Sequence, residues 1–219
     1  MSIAENFPIW KDLTAQQQEM IQEKAVLKSV KKGTVVHNGS MDCLGLLLIR
    51  QGQLRAFVLS EEGREITIYR MFDQDVCILS ASCVMPNIQF EIIIEAEKDT
   101  EFWVVPSCLY KKLMEESLPI SQYTGDLISS HFSDLMFLME QIMWKSFDKR
   151  LAAFLLEESN LEDTRALKIT HEKIANHMGT AREVVTRMLR YFQSENMIRL
   201  TRGAVELTDV KALQLLGES

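Results

Sequence analysis

The 219-residue sequence predicts an α+β chain: an N-terminal antiparallel jelly roll, one long helix, and a C-terminal winged helix-turn-helix. Three observations carry that prediction. Five of the nine glycines (Gly33, Gly39, Gly45, Gly52, Gly63) separate short apolar or alternating runs. No proline follows Pro119, and a helical pattern with two apolar stripes begins there. Ala175, Gly179 and Val185 then set a small residue, a glycine and a β-branched residue where two short helices would cross around a turn.

Leu46-Leu47-Leu48-Ile49, Leu54-Arg55-Ala56-Phe57-Val58 and Glu65-Ile66-Thr67-Ile68-Tyr69 read as strands, being apolar or alternating runs bounded by turn residues. Phe90 to Ile94 and Phe102 to Val105 continue the series, with turns at Pro86-Asn87 and Lys98-Asp99. Many short strands at this spacing indicate a barrel or jelly roll, assigned to residues 1–120.

Residues 121–147 are assigned to the long helix, helical from Ser121 to near Lys145. Ile128, His131, Leu135, Leu138 and Ile142 follow the 3–4 spacing of a coiled-coil seam, and Phe132, Met136, Met139 and Met143 cover an adjacent face. A helix apolar on two faces needs two partners. One stripe is expected on a sister subunit and the other on the chain's own β-domain; the alternative is a helix buried within one monomer. A hinge is expected near Phe147-Asp148, followed by an amphipathic helix from Lys149 to Glu158 through Leu151, Phe154 and Leu155.

The third domain, 148–219, holds the motif that carries chemistry. Thr170 is placed to cap a first helix that turns Ile174, Ala175 and Met178 inward. Gly179 supplies a positive φ at the turn, and a second helix, expected to begin at Thr180, buries Val185, Met188 and Leu189. Its exposed side offers Arg182, Glu183, Thr186 and Arg187. Arginine can bond guanine O6 and N7 in bidentate fashion, and a carboxylate can accept from cytosine N4. Thr186 suits a phosphate or a thymine methyl, and Arg190, one turn on, suits the DNA backbone. Thr170, His171, Thr180 and Arg202 complete the expected contact set.

Thr180-x-x-Glu183 also reads as a capping box, which would commit Glu183 partly to the helix end. Singly, Arg187 and Arg190 also fit a solvated helix face; their joint placement in a helix-turn-helix frame favours double-stranded DNA. Ile198, Leu200, Arg202-Gly203, Val205 and Leu207 alternate around a glycine turn, a β-hairpin that forms the wing.

A formal net charge of −7 opposes nucleic-acid binding only if it is evenly spread. It is not. Residues 148–219 hold eleven basic and eleven acidic groups, so the whole excess lies in residues 1–147. Within 182–203 five arginines face Glu183 and Glu195, a local +3 that can grip phosphates. Met1 to Trp10 has neither a basic start nor an apolar run, and Leu44 to Ile49 is too short to span a bilayer, so a soluble cytoplasmic protein without a membrane partner is expected. Cys43, Cys77, Cys83 and Cys108 form no CxxC pair; free thiols and no metal site are expected.

Thr170-His171-Glu172-Lys173-Ile174-Ala175 and Arg182-Glu183-Val184-Val185-Thr186-Arg187 closely resemble the DNA-binding signature of the Crp/Fnr superfamily of bacterial regulators. Gly39, the run from Leu46 to Arg55, the hairpin Gly63-Arg64-Glu65 and the hinge Phe147-Asp148-Lys149-Arg150-Leu151-Ala152 extend the resemblance over nearly the whole chain. It implies a jelly roll of the cyclic-nucleotide-binding kind, a homodimer joined through the long helix, an inverted-repeat operator and contact with RNA polymerase. By resemblance Arg182, Glu183 and Arg187 are base readers. Thr186-Arg187 after Glu183 is similar to an E-x-x-S-R variant, which implies half-sites containing TGA.

The departures are informative. Cyclic-nucleotide-binding members carry Gly-Glu-Leu and then Arg-Ser; the matching places here hold Cys77-Ile78-Leu79 and Phe90-Glu91. A cyclic phosphate needs positive charge and free backbone N–H groups, and Glu91 would repel it, which argues against cyclic AMP. The surroundings Cys77, Ile78, Leu79, Phe90 and Glu91 form the expected effector pocket, apolar in character, its small-molecule effector unknown. The N-terminal cysteine cluster of iron–sulfur members is missing. Asp75 to Cys83 loosely resembles the cysteine-bearing stretch of a haem-based carbon monoxide sensor, but Leu79 stands where a histidine would follow Cys77. Haem ligation by Cys77, or thiol oxidation of Cys77 with Cys83, is the alternative mode of sensing.

A cupin-like enzyme is the reading from another class, weakened because only His37 lies in the β-region and no His-x-His set exists. A ligand-binding module that has lost DNA binding is a further alternative. The expected mechanism is a two-state dimer in which a signal at the β-roll swings both second helices about the hinge.

Overall fold

The computed structural model describes residues 2–39, 44–80 and 91–218. The chain folds as two compact units, Met1–Leu59 with Ile68–Leu135, and Ser60–Thr67 with Met136–Ser219.

In the first unit, helix α1 (Ala15–Lys24) opens with a reciprocal capping box: Thr14 Oγ1 accepts from the Gln17 amide while the Gln17 side chain accepts from the Thr14 amide. Eight strands follow among the described residues, the first three residues of β5 counting with the second unit: β1 (Val26–Val30), β2 (Val35–Asn38), β3 (Leu46–Gln51), β4 (Leu54–Leu59), β5 (Glu65–Met71), β6 (Val76–Cys77), β7 (Ile93–Ala96) and β8 (Thr100–Val105). They form two four-stranded sheets of order β1-β8-β3-β6 and β2-β7-β4-β5, the jelly roll the sequence predicts. Strand β3 is apolar without alternation because Leu46, Leu47, Leu48 and Ile49 are all wholly buried. At the β3–β4 turn Gly52 has φ +115°, and a Cβ there would lie 2.5 Å from Thr100 Oγ1, so only glycine fits.

The later strands shift from expectation. Strand β7 begins at Ile93 rather than Phe90, and Phe90 and the Pro86-Asn87 turn lie outside the described residues. Strands β1 and β2 and helices α1 and α2 (Ser107–Glu116) are not foreshadowed by the sequence pattern. Tyr110 and Leu113 of α2 are fully buried in the core. The interior also holds a charged pair: Arg70 Nε lies 2.9 Å from Glu97 Oε2 with both side chains 7% exposed, and Gln53 Nε2 donates to the same oxygen at 2.7 Å. An ion pair so enclosed persists only when further hydrogen bonds share the load.

Helix α3 runs Leu118–Trp144. It starts earlier than the expected Ser121 because Pro119 falls in the first turn, where a missing N–H costs nothing. Thr124 Oγ1 donates to the Ile120 carbonyl, so Tyr110 Oη is the donor in its 2.7 Å contact with Thr124. Ile120 and Thr124 are buried, Tyr123 and Leu127 pack on the core, and the His131 ring stacks on Tyr69 at 4.5 Å. The other face is bare: Phe132 is 64% exposed, and Met136, Met139 and Met143 are exposed with it. Of the expected seam, His131, Leu135 and Leu138 are half-buried while Ile128 and Ile142 are exposed.

In the second unit, helix α4 spans Phe147–Leu161. The break before it falls at Lys145-Ser146, directly before Phe147-Asp148. Ser146 is the extended N-cap, and Phe147 and Asp148 are already in the first turn. The Ser146 hydrogen bond and the helix N-terminus hold the Asp148 carboxyl below its ordinary range. Strand β9 (Ala166–Leu167), helices α5 (His171–Met178) and α6 (Arg182–Ser194), the hairpin β10 (Ile198–Thr201) and β11 (Ala204–Leu207), and helix α7 (Val210–Glu218) complete the unit. Leu151, Leu155, Ile174, Val185, Leu189, Phe192 and Leu213 form its wholly buried centre. Strand β9 adds to β11, making a three-stranded wing sheet.

Candidate nucleic-acid interface

Helix α5 is capped as expected: Thr170 Oγ1 accepts from the Lys173 amide at 3.1 Å. It ends at Gly179, with φ 65° and ψ 37°, whose N–H donates to the Ala175 carbonyl. A Cβ at Gly179 would lie 3.0 Å from Ile66 Cδ1, so the position is constrained both by backbone and by space. Helix α6 then starts at Arg182 with Ala181 as N-cap, two residues later than expected. The Thr180–Glu183 capping box does not form, because Ala181 takes the extended cap conformation and leaves Thr180 outside the helix. Glu183 is therefore exposed in the first turn and uncommitted to a cap.

The period of α6 sorts its residues into two faces. Val185, Leu189 and Phe192 are buried. Arg182, Glu183, Thr186, Arg187 and Arg190 line one concave surface on the other side. An adjoining groove is lined by Ile169, Thr170, His171, Glu172 and Arg182 together with Thr201, Gly203 and Ala204 of the wing. Seven of the nine predicted contact residues thus fall on two surfaces that share Arg182. Of the other two, Thr180 is half-buried in the turn and Arg202 is exposed at the wing tip.

Two of the arginines are tied within the chain. Arg199 Nε donates to Glu206 Oε2 across the wing hairpin at 2.8 Å, which removes part of the local positive excess. Arg182 Nε lies 4.0 Å from Glu172 Oε2; no sequence signal pointed to Glu172. Thr186 Oγ1 donates to the Arg182 carbonyl at 2.9 Å and lies 2.9 Å from His171 Nδ1. Burial and then the charges of Arg182 and Arg190 hold the His171 imidazole below its ordinary pKa.

The residues expected around an effector are placed differently. Cys77 and Ile78 are wholly buried and Leu79 nearly so, all within the packed core of the β-roll. Glu91 is exposed, its side chain against Gly39. Phe90 and Cys83 lie outside the described residues. Burial pushes the Cys77 thiol up, against thiolate chemistry, and its sulfur lies 3.8 Å from Tyr69 Oη. Among the described residues no cluster of three or more His, Cys, Asp or Glu could hold a metal ion, and no helix is long and apolar enough to cross a membrane.

A family model for the Crp-like helix-turn-helix domain matches residues 149–216. The chain is 56% identical to a crystal structure described as a transcriptional regulator of the Crp/Fnr family from Eubacterium rectale, with 98% of this chain and 100% of that one covered at a TM-score of 0.97. Among curated proteins it is 26% identical over 177 residues to the transcriptional regulator SdrP of Thermus thermophilus, covering 78% of this chain and 83% of that protein. It is 24% identical over 202 residues to the fumarate and nitrate reduction regulatory protein of Yersinia pestis, covering 87% and 78%. These relatives are regulators, which sets aside the cupin-like enzyme. The chain belongs to the Crp/Fnr family of DNA-binding transcriptional regulators.

Proposed function

We propose that the protein acts in the cytoplasm as a homodimer that reads an inverted-repeat operator, with Arg182, Glu183, Thr186 and Arg187 at base edges. Arg190, Thr170, His171, Thr180 and Arg202 lie along the DNA backbone. The observation that carries this reading is the single exposed surface on α6 shared by three arginines, one carboxylate and one threonine. Acceptors on guanine and the amino group of cytosine are what such a set can bond. The bare apolar face of α3, ending in Trp144 at 78% exposure, supports pairing of two copies through that helix. Bound DNA then brings the regulator to RNA polymerase. The controlling signal is not a cyclic nucleotide, since Glu91 stands where a cationic side chain would hold the phosphate. Burial of Cys77 favours a sensing mode that does not use its thiol.

Selection of duplexes from a randomised pool by the purified full-length protein tests the proposal. Enriched duplexes are expected to carry two inverted half-sites whose centres lie about one helical turn, roughly 10 base pairs, apart. Enrichment of single half-sites, or of none, contradicts it.

A further inference from the structure

The contact between His171 and Thr186 has a direction that the hydrogen count fixes. A threonine hydroxyl has one proton, and that of Thr186 is given to the Arg182 carbonyl. In its 2.9 Å contact with Thr186 Oγ1, His171 Nδ1 must therefore be the donor. Nδ1–H thus carries the neutral tautomer, and Nε2 carries the lone pair. His171 Nε2 has no hydrogen-bond partner among the described residues, although the residue lines the groove between α5, Arg182 and the wing. The relay from His171 through Thr186 to the Arg182 carbonyl survives protonation, since the added proton goes to Nε2.

We infer that His171 is a proton-linked positioning residue of the DNA-reading surface: its Nδ1–H holds Thr186, and its Nε2 takes up a proton when a DNA phosphate enters the groove. The inference rests on the DNA-binding function proposed above. The charged groups around His171 are Arg182 and Arg190 on α6, Glu172 and Lys173 on α5, and Arg202 beside the wing residues Thr201 and Gly203. Arg182 and Arg190 disfavour the imidazolium in the free protein. A phosphate beside them offsets that repulsion and favours it. Occupation of the Thr186 hydroxyl has a second consequence. Toward DNA, Thr186 has no hydrogen left to donate, so it discriminates through its methyl group or as an acceptor.

The sign follows from linkage. Binding that takes up protons strengthens as pH falls, by at most about tenfold per pH unit for each titrating head. The test measures affinity between about pH 6 and pH 8 at fixed ionic strength, using the duplex enriched from the randomised pool. Wild-type affinity is expected to rise as pH falls. His171→Asn, whose amide nitrogen takes the place of Nδ1 and can still donate to Thr186 but does not titrate, should lose the pH dependence and keep the sequence preference. His171→Ala should lose the pH dependence and also the preference at the base pair facing Thr186. A wild-type profile that is flat, or a His171→Asn profile as steep as wild type, overturns the inference while leaving DNA binding intact. Failure to enrich any duplex overturns the DNA reading and this inference with it.

Discussion

The hydroxyl of Thr67 lies 2.9 Å from Nδ1 of His177, inside the second unit. Thr67 belongs to the start of strand β5 and His177 to the last turn of α5, so this segment of the second unit holds the first helix of the helix-turn-helix. The neighbouring pair reinforces the contact: Ile66 bridges Met178 in antiparallel fashion, and its side chain closes over Gly179. His177 is only 6% exposed and also packs on the Phe154 ring at 5.4 Å. An imidazole so enclosed requires a polar partner.

Thr67→Val keeps the shape and removes the hydroxyl. Loss of the His177 hydrogen bond should destabilise the protein by about 1 kcal/mol, seen as a lower urea midpoint at an unchanged slope. An unchanged midpoint would mean that the contact contributes nothing to the fold.

Gly179→Ala forces a side chain into a left-handed conformation, a cost of about 1–2 kcal/mol, and pushes on Ile66. Thermal unfolding should show the loss, and Ile66→Ala in the same chain should recover the steric share alone. Strict additivity of the two substitutions would show that they do not touch.

Cys77 is expected to be inert. In a Cys43→Ser, Cys83→Ser chain, a maleimide reagent should label exposed Cys108 and leave Cys77 unmodified until denaturant is added, because a buried thiol of raised pKa offers little thiolate. Rapid native labelling of Cys77, read by mass spectrometry, would revive thiol sensing at that position.

Phe132→Glu with Met139→Glu places two charges on the bare face of α3. Sedimentation should show dimers for the wild type and monomers for the variant, with helical content by circular dichroism unchanged. A dimer that survives both substitutions would move the interface elsewhere.

The winged helix-turn-helix was legible because its patterns are redundant. Ala175, Gly179, Val185 and the alternating Ile198–Leu207 stretch each specify the same motif, and the structure places them so. The exposed set on α6 followed from period alone. Helix ends were less legible. Thr180 is the residue type that favours a cap, yet Ala181 takes the extended cap conformation before Arg182. Helix α2 escaped because Tyr110 and Leu113 are buried by partners distant in sequence, and strand β1 because its apolar residues Val26 and Leu27 are exposed and give no alternation. Partners such as Glu172 for Arg182 and Thr67 for His177 leave no periodic trace at all.

The most direct measurement of the central claim is duplex affinity of the Arg182→Ala and Arg187→Ala proteins on the enriched operator and on unrelated DNA. Base reading predicts a loss of about 1–3 kcal/mol for each residue on the operator, with little change on unrelated DNA. Equal losses on both duplexes, or none on either, would contradict it.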